Sequence, residues 1–261
     1  MICPLRSEPQ GRGIDILVGL PRPAKEGVNT NSSVCMPIFE LTNNSSFPPP
    51  HFSERDGLLA VGGDLSEKRL IKAYYLGIFP WYSDPDPILW WSPDPRLVLF
   101  PDELIVTRRL HRTIRSGSFR ITMDAAFDRV IKACAEIPRR HEKGTWITSD
   151  MVAAYERLHA AGFAHSVEAW SGDRLAGGLY GVAIGRCFFG ESMFSRASNA
   201  SKVAFVALVE YLRTKKFGLI DCQVATQHLK RFGAREIPRS DFLKILEKFR
   251  EKPSLRGRWP Q

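Results

Sequence analysis

Apolar residues recur with a helical period in several stretches of this 261-residue chain. The clearest is 199–216, where Phe205, Leu208 and Leu212 fall on one stripe at spacings of three and four, the pattern that turns one helix face toward a core. The same reading predicts helices over 69–75, with Ser66 as the cap, over 125–136, and over 149–161, capped by Ser149. Two more follow at 227–232 and 241–250. Runs with strand character lie between them: 165–171 and 174–184, joined by the turn Ser171-Gly172-Asp173, then 186–189 and 219–223. Antiparallel strands, a long helix, another strand and another helix predict an α+β architecture.

The first 35 residues are rich in Pro, Gly, Ser and Asn and hold no apolar period, so a disordered extension is expected there. A protein beginning at Met36 would look complete, which raises a misassigned start codon. Residues 36–97 form an aromatic-rich N-terminal unit. Trp81, Trp90 and Trp91 fall within it, as a large aromatic core or as a stacking surface. Residues 98–250 carry the regular elements, and 251–261 are a tail.

Composition narrows the picture. Apolar residues make up 44% of the chain, enough for a globular core, and no apolar run approaches the roughly 20 residues a membrane helix needs. Five scattered cysteines without a C-x-x-C pair argue against a disulfide framework and a zinc site, and suit a reducing compartment. Lys and Arg outnumber Asp and Glu by 37 to 28, a balance that favours anionic partners. The excess is local. Arg108, Arg112 and Arg115 would share one helical face, and Arg139 and Arg140 form a second basic knot. Each run is either a solvated surface or part of a phosphate-binding one.

The chemistry concentrates in two segments, 190–196 and 219–223, where Glu191, Asp221 and Gln223 stand among apolar neighbours. In an extended strand Asp221 and Gln223 would point the same way, roughly 7 Å apart. Buried polar groups are costly unless paired, so such a cluster is either a site or a capped strand end in an ordinary core. No phosphate-cradling G-x-x-x-x-G-K-[ST] loop and no G-x-S-x-G elbow occurs, and Gly177, Gly178, Gly181 and Gly185 read as close backbone packing within strands.

The strand, long helix, strand, helix order resembles the N-acetyltransferase (GNAT) fold, with 228–234 similar to the helix-to-strand piece that ends it. The loop that would bind the pyrophosphate of coenzyme A is missing, which implies an acyl donor other than acetyl-CoA. Several motifs in order, 57–66, 77–81, 90–96, 144–148, 190–196 and 219–223, resemble the leucyl/phenylalanyl-tRNA-protein transferase family over about residues 38–250.

That resemblance implies a small mixed N-terminal domain and a GNAT-like catalytic domain. It also implies an enzyme that moves Leu or Phe, and Met less well, from aminoacyl-tRNA to proteins with an N-terminal Arg or Lys, marking them for degradation. A cytoplasmic monomer without metal or cofactor is implied. By similarity Asp221, Gln223 and Glu191 form the catalytic centre, with Asp221 orienting Gln223. Leu179, Phe188, Phe205, Leu208 and Ile220 form the amino-acid pocket, although strict alternation puts Ile220 opposite Asp221. Trp81 and Trp146 flank the terminal adenosine, and Arg108, Arg112, Arg115, Arg139 and Arg140 follow the tRNA backbone. An acyl-CoA-dependent acetyltransferase, a peptidoglycan-building tRNA-dependent transferase and a non-enzymatic basic RNA-binding module are the rivals.

Overall fold

In the computed structural model of the chain, residues 38–42, 44–54, 56–137 and 146–260 are described. The expected N-terminal extension and the knot at Arg139 and Arg140 lie outside them. A small sheet comes first, from β1 (Phe39–Leu41), β2 (Leu58–Gly62), β3 (Phe79–Pro80) and β4 (Leu89–Trp91) in the order β1-β2-β4-β3. Helix α1 (Glu67–Tyr75) follows β2. Ser66 accepts a hydrogen bond from the Arg69 amide and so caps it, a contact typically worth about 1 kcal/mol.

The remaining strands are β5 (Arg96–Leu99), β6 (Arg120–Met123), β7 (Ala164–Ser171), β8 (Arg174–Ile184), β9 (Cys187–Ser195), β10 (Leu219–Gln223) and β11 (Arg235–Ile237). They form one sheet in the order β11-β5-β10-β9-β8-β7-β6. Every neighbouring pair is antiparallel except β9 and β10. Between the strands lie α2 (Arg108–Arg115), α3 (Phe127–Glu136), α4 (Ser149–Ala160), α5 (Ala200–Thr214), α6 (Gln227–Lys230) and α7 (Arg239–Arg250). The chain is thus a mixed α and β structure with two mixed sheets, and β5 crosses the 97/98 boundary expected from the sequence.

Both faces of the large sheet are covered, as the nearly continuous burial of β7 and β8 requires. The two-residue strand period sorts their side chains. Tyr180, Val182 and Phe189 pack with Val130, Ile131 and Leu158 on one side, and Leu179, Ala183 and Phe188 pack with Leu208 and Leu212 of α5 on the other. Fully burying an aliphatic side chain of this size contributes about 1.5–3 kcal/mol, so the α5 stripe read from the sequence is a main anchor of that face. Gly177 is the close approach expected of it, since a Cβ there would lie 2.7 Å from the Ala200 Cβ.

Two expectations need correction, and the tail adds a contact of its own. Strand β9 runs on to Ser195, so the polar segment after Phe189 is strand rather than loop. Thr148, not Ser149, caps α4, accepting from the Met151 amide. The tail carries Trp259 into the core, where its ring stacks on His165 at 3.9 Å and its amide donates to Asp124 at 2.8 Å.

Candidate active site

Strands β9 and β10 pair only through Cys187–Phe189 against Leu219–Asp221. Beyond that the pairing stops, and a cavity of about 410 Å³ opens there. Its floor is apolar, from Leu179, Phe205, Leu208 and Ile220, with Met193 and Cys222 beside them. Trp81, Trp146 and Phe79 form further wall, and Glu191 and Gln223 supply polar groups. Tyr180 and Gly181 of β8 pair with Ser192 and Gly190, so Glu191 is the extra, bulged residue of β9, and both Leu179 and Tyr180 reach the cavity although they belong to opposite faces of the sheet.

Gln223 adopts φ 60°, a left-handed conformation uncommon for a residue with a side chain, and the pairing of β10 with β5 shifts register between Asp221 and Gln223. Strict alternation therefore fails at this point. Asp221 does not share the cavity face with Gln223, and Ile220 and Gln223 both line the cavity. The expectation that Asp221 and Gln223 point the same way is corrected, and with it the misfit of Ile220 disappears.

Asp221 is fully buried behind the strand. Arg96 grips it with two hydrogen bonds, Nε to Oδ1 at 2.8 Å and Nη2 to Oδ2 at 2.6 Å. The guanidinium lies between the rings of Phe79 and Phe242, 4.7 and 4.6 Å from their centroids, a geometry that favours a planar cation in a dry setting. The backbone amide of Gln223 donates to Asp221 Oδ1 at 2.9 Å. Asp221 thus meets Gln223 through the backbone, and this bond spans the residue pair at which the strand turns left-handed.

The Gln223 side chain is held from the other side. Its Nε2 donates to Glu191 Oε1 at 2.7 Å, while the Tyr155 hydroxyl donates to Glu191 Oε2 at 3.0 Å. Tyr155 in turn shares a short hydrogen bond with Tyr74. Burial pushes the Glu191 carboxyl up to about 7; hydrogen bonds from Tyr74, Tyr155 and Gln223 oppose the shift, and the charge of Asp221 adds to it. Such a group exchanges a proton near neutral pH.

Of the residues named from the sequence, Glu191, Gln223, Leu179, Phe205, Leu208, Ile220, Trp81 and Trp146 come together around the cavity. Phe188 does not line it; it is buried within the same apolar cluster, opposite Ile220 in the strand register. Arg108, Arg112 and Arg115 are exposed on α2, away from the cavity wall. The sequence reading missed Arg96, Tyr155 and Tyr74. Only Arg96 left a trace, as a charge opening a strand that is otherwise apolar, Arg96-Leu97-Val98-Leu99. Among the described residues no group of three or more His, Cys, Asp or Glu side chains is placed to hold a metal ion, and no helix is long and apolar enough to cross a membrane.

Known proteins supply the remaining context. Residues 98–247 match the family model described as leucyl/phenylalanyl-tRNA protein transferase, and residues 63–94 match that of its N-terminal domain. A leucyl/phenylalanyl-tRNA–protein transferase of Anaeromyxobacter sp. (strain K) is 61% identical over 224 residues, 86% of this chain and 96% of that one. One from Solidesulfovibrio magneticus is 58% identical over 86% of this chain and 91% of its own. A solved structure of L-PGS from Bacillus licheniformis aligns with 65% of this chain and 54% of its own at 8% identity with a TM-score of 0.37, too low to carry any argument. A model that spans more than half the chain, with relatives this similar over nearly their whole length, settles the matter: the chain belongs to the leucyl/phenylalanyl-tRNA protein transferase family.

Proposed function

We propose that this protein transfers Leu or Phe from aminoacyl-tRNA to the N-terminal Arg or Lys of acceptor proteins. The observation that carries the reading is one cavity whose apolar floor meets the Gln223–Glu191 pair and whose remaining wall includes Trp81 and Trp146. The floor takes the donor's side chain, and the tryptophans stack on the terminal adenine, a contact that tolerates any tRNA body. Arg108, Arg112 and Arg115 are exposed and form no ion pair among the described residues, so they support a role along the phosphate backbone. Arg139 and Arg140 are assigned there by sequence alone.

The acceptor's α-amine attacks the ester carbonyl of the donor. A C–N bond forms, the C–O bond to ribose breaks, and the proton given up by the amine ends on the released ribose oxygen as its hydroxyl. An α-amine has a pKa of about 8, so roughly a tenth is neutral at pH 7. Gln223, with its Nε2 committed to Glu191, offers Oε1 to orient the amine, and Glu191 accepts the proton. Asp221 and Arg96 hold the strand turn that aims Gln223. An activated ester becomes a more stable amide, so neither ATP nor metal is required.

The large sheet is read as GNAT-like, supported by the parallel strands β9 and β10 that part around the site with α5 between them in the chain. Units of 36–97 and 98–250, a monomer and a cytoplasmic location belong to the same proposal.

The test mixes purified protein, radiolabelled Leu-tRNA or Phe-tRNA, and peptides beginning with Arg, Lys or Ala, without ATP or coenzyme A. Label on the Arg and Lys peptides alone is the expected result. No transfer from either tRNA by folded protein would overturn the reading and favour acyl-CoA donors.

A further inference from the structure

His228 stands in the cavity wall, and its ring nitrogen Nε2 is buried with no hydrogen-bond partner among the described residues. The ring packs edge-on against Phe232 at 5.4 Å, and Phe232 packs on Phe205 of the cavity floor at 5.0 Å. The imidazole is therefore fixed by aromatic packing beside the place where a donor sits. Burial, joined by the charges of Lys202 and Arg231, lowers its pKa below the usual 6.5. At neutral pH it is an uncharged ring with one N–H to offer.

The two cations share a further property. Lys202 lies on the first turn of α5, one turn before Phe205, and among the described residues its Nζ reaches only a side-chain amide oxygen, that of Asn199 at 3.3 Å. Arg231, exposed, closes α6. Neither meets a carboxylate among the described residues, and the nearby Glu236 is engaged by Lys230 at 2.5 Å. A buried nitrogen without a partner is costly to leave so, and two uncompensated cations beside it select the sign of whatever completes the corner. An ammonium group would be repelled, and an apolar group would leave Nε2 unpaired. An anion with several oxygens satisfies all three side chains.

An aminoacyl-tRNA donor carries such an anion one nucleotide from its ester. We propose that His228, Lys202 and Arg231 bind the phosphodiester joining the last two nucleotides of the donor, at the edge of the aminoacyl cavity. The inference rests on the aminoacyl-transfer reading above and adds a second contact to it. The tryptophans hold the final base, and this corner holds the phosphate behind it. Together they fix the 3′ end at two points, which orients the ester toward Gln223.

Two synthetic donors test this: the leucyl ester of adenosine, which has no phosphodiester, and the leucyl ester of cytidylyl-adenosine, which has one. Wild-type protein is expected to favour the dinucleotide ester in kcat/KM. In His228→Ala, and separately in the double variant Lys202→Ala with Arg231→Ala, that preference falls about tenfold, chiefly through KM. His228→Asn, which keeps an N–H donor, regains part of it. Because the readout is a ratio within one protein, loss of folded material cancels. A preference that survives in both variants would overturn the phosphate assignment while leaving aminoacyl transfer intact. Wild-type protein that uses neither ester nor charged tRNA would overturn both.

Discussion

Asp221 and Glu191 are both buried acids, joined through Gln223, and they are satisfied in different ways. Asp221 faces a guanidinium in a bidentate ion pair clamped by two aromatic rings. Glu191 has only neutral donors, two tyrosine hydroxyls and a glutamine amide, among the described residues. The first arrangement fixes a geometry. The second leaves a carboxyl pushed up to about 7, able to change its charge in the range where an amine must lose a proton. Two residues of one chemical class are thus set differently, one tied to the strand turn and the other left able to titrate.

The sharpest break of this comparison is Arg96→Met. It strands Asp221 as a buried acid without its cation, a change expected to cost roughly 3–5 kcal/mol, and transfer should fall by more than about a hundredfold. Denaturant unfolding and single-turnover transfer measure the two losses. Pairing it with Asp221→Leu should restore much of the stability and none of the activity. A double variant as unstable as the single would contradict the structural role given to the pair.

Gln223→Gly separates the functions further. It removes the amide that faces the cavity while relieving a left-handed residue, whose strain is of order 1–3 kcal/mol. Thermal stability should hold or rise while transfer drops roughly a hundredfold. A clear fall in melting temperature would show that the side chain, not the backbone, dominates there.

Glu191→Gln addresses the titrating member, and a fall of about ten- to a hundredfold in rate is expected. The sign of its pH effect follows from a folded value of about 7 against an ordinary 4.5. The folded state keeps a proton that the unfolded state releases, so the contribution to stability is complete below about 4.5 and is lost as pH rises through 7. Urea unfolding at pH 5 and pH 7.5 should show that decline in the wild type and a flatter profile in Glu191→Gln; identical slopes would remove Glu191 as its source. The smallest effect belongs to Tyr155→Phe, which takes one donor from the carboxylate. The acid limb of the pH–rate profile should move up by about half a unit to one unit, and a downward move would mean that Tyr155 does not stabilise the anion.

Much of the fold was legible because helices announce themselves by period and cap. The α5 stripe, the cap at Ser66 and the turn Ser171-Gly172-Asp173 needed only local chemistry. The C-terminal half of β9 was not, since Glu191, Ser192 and Ser195 resemble a loop until a cavity explains their polarity. The left-handed turn at Gln223 has no local signature at all, so alternation misled the placement of Asp221 beside it. Glu191, Asp221 and Gln223 were found by being polar among apolar neighbours. Arg96, Tyr74 and Tyr155 were missed because each meets the site through a contact more than 30 positions away in the chain, beyond the reach of any spacing rule.

The distance between Arg96 and Asp221 along the chain, 125 positions, also has a meaning in time. At synthesis rates of about 5–20 residues per second, Arg96 is made roughly 6–25 s before its partner exists. Strand β5 must wait as long for β10, and longer for β11, the neighbours on its two sides. The candidate site is accordingly completed only after β10 has been made, and a nascent chain halted before β10 has Trp81 and Trp146 but no Gln223 to close the cavity they line.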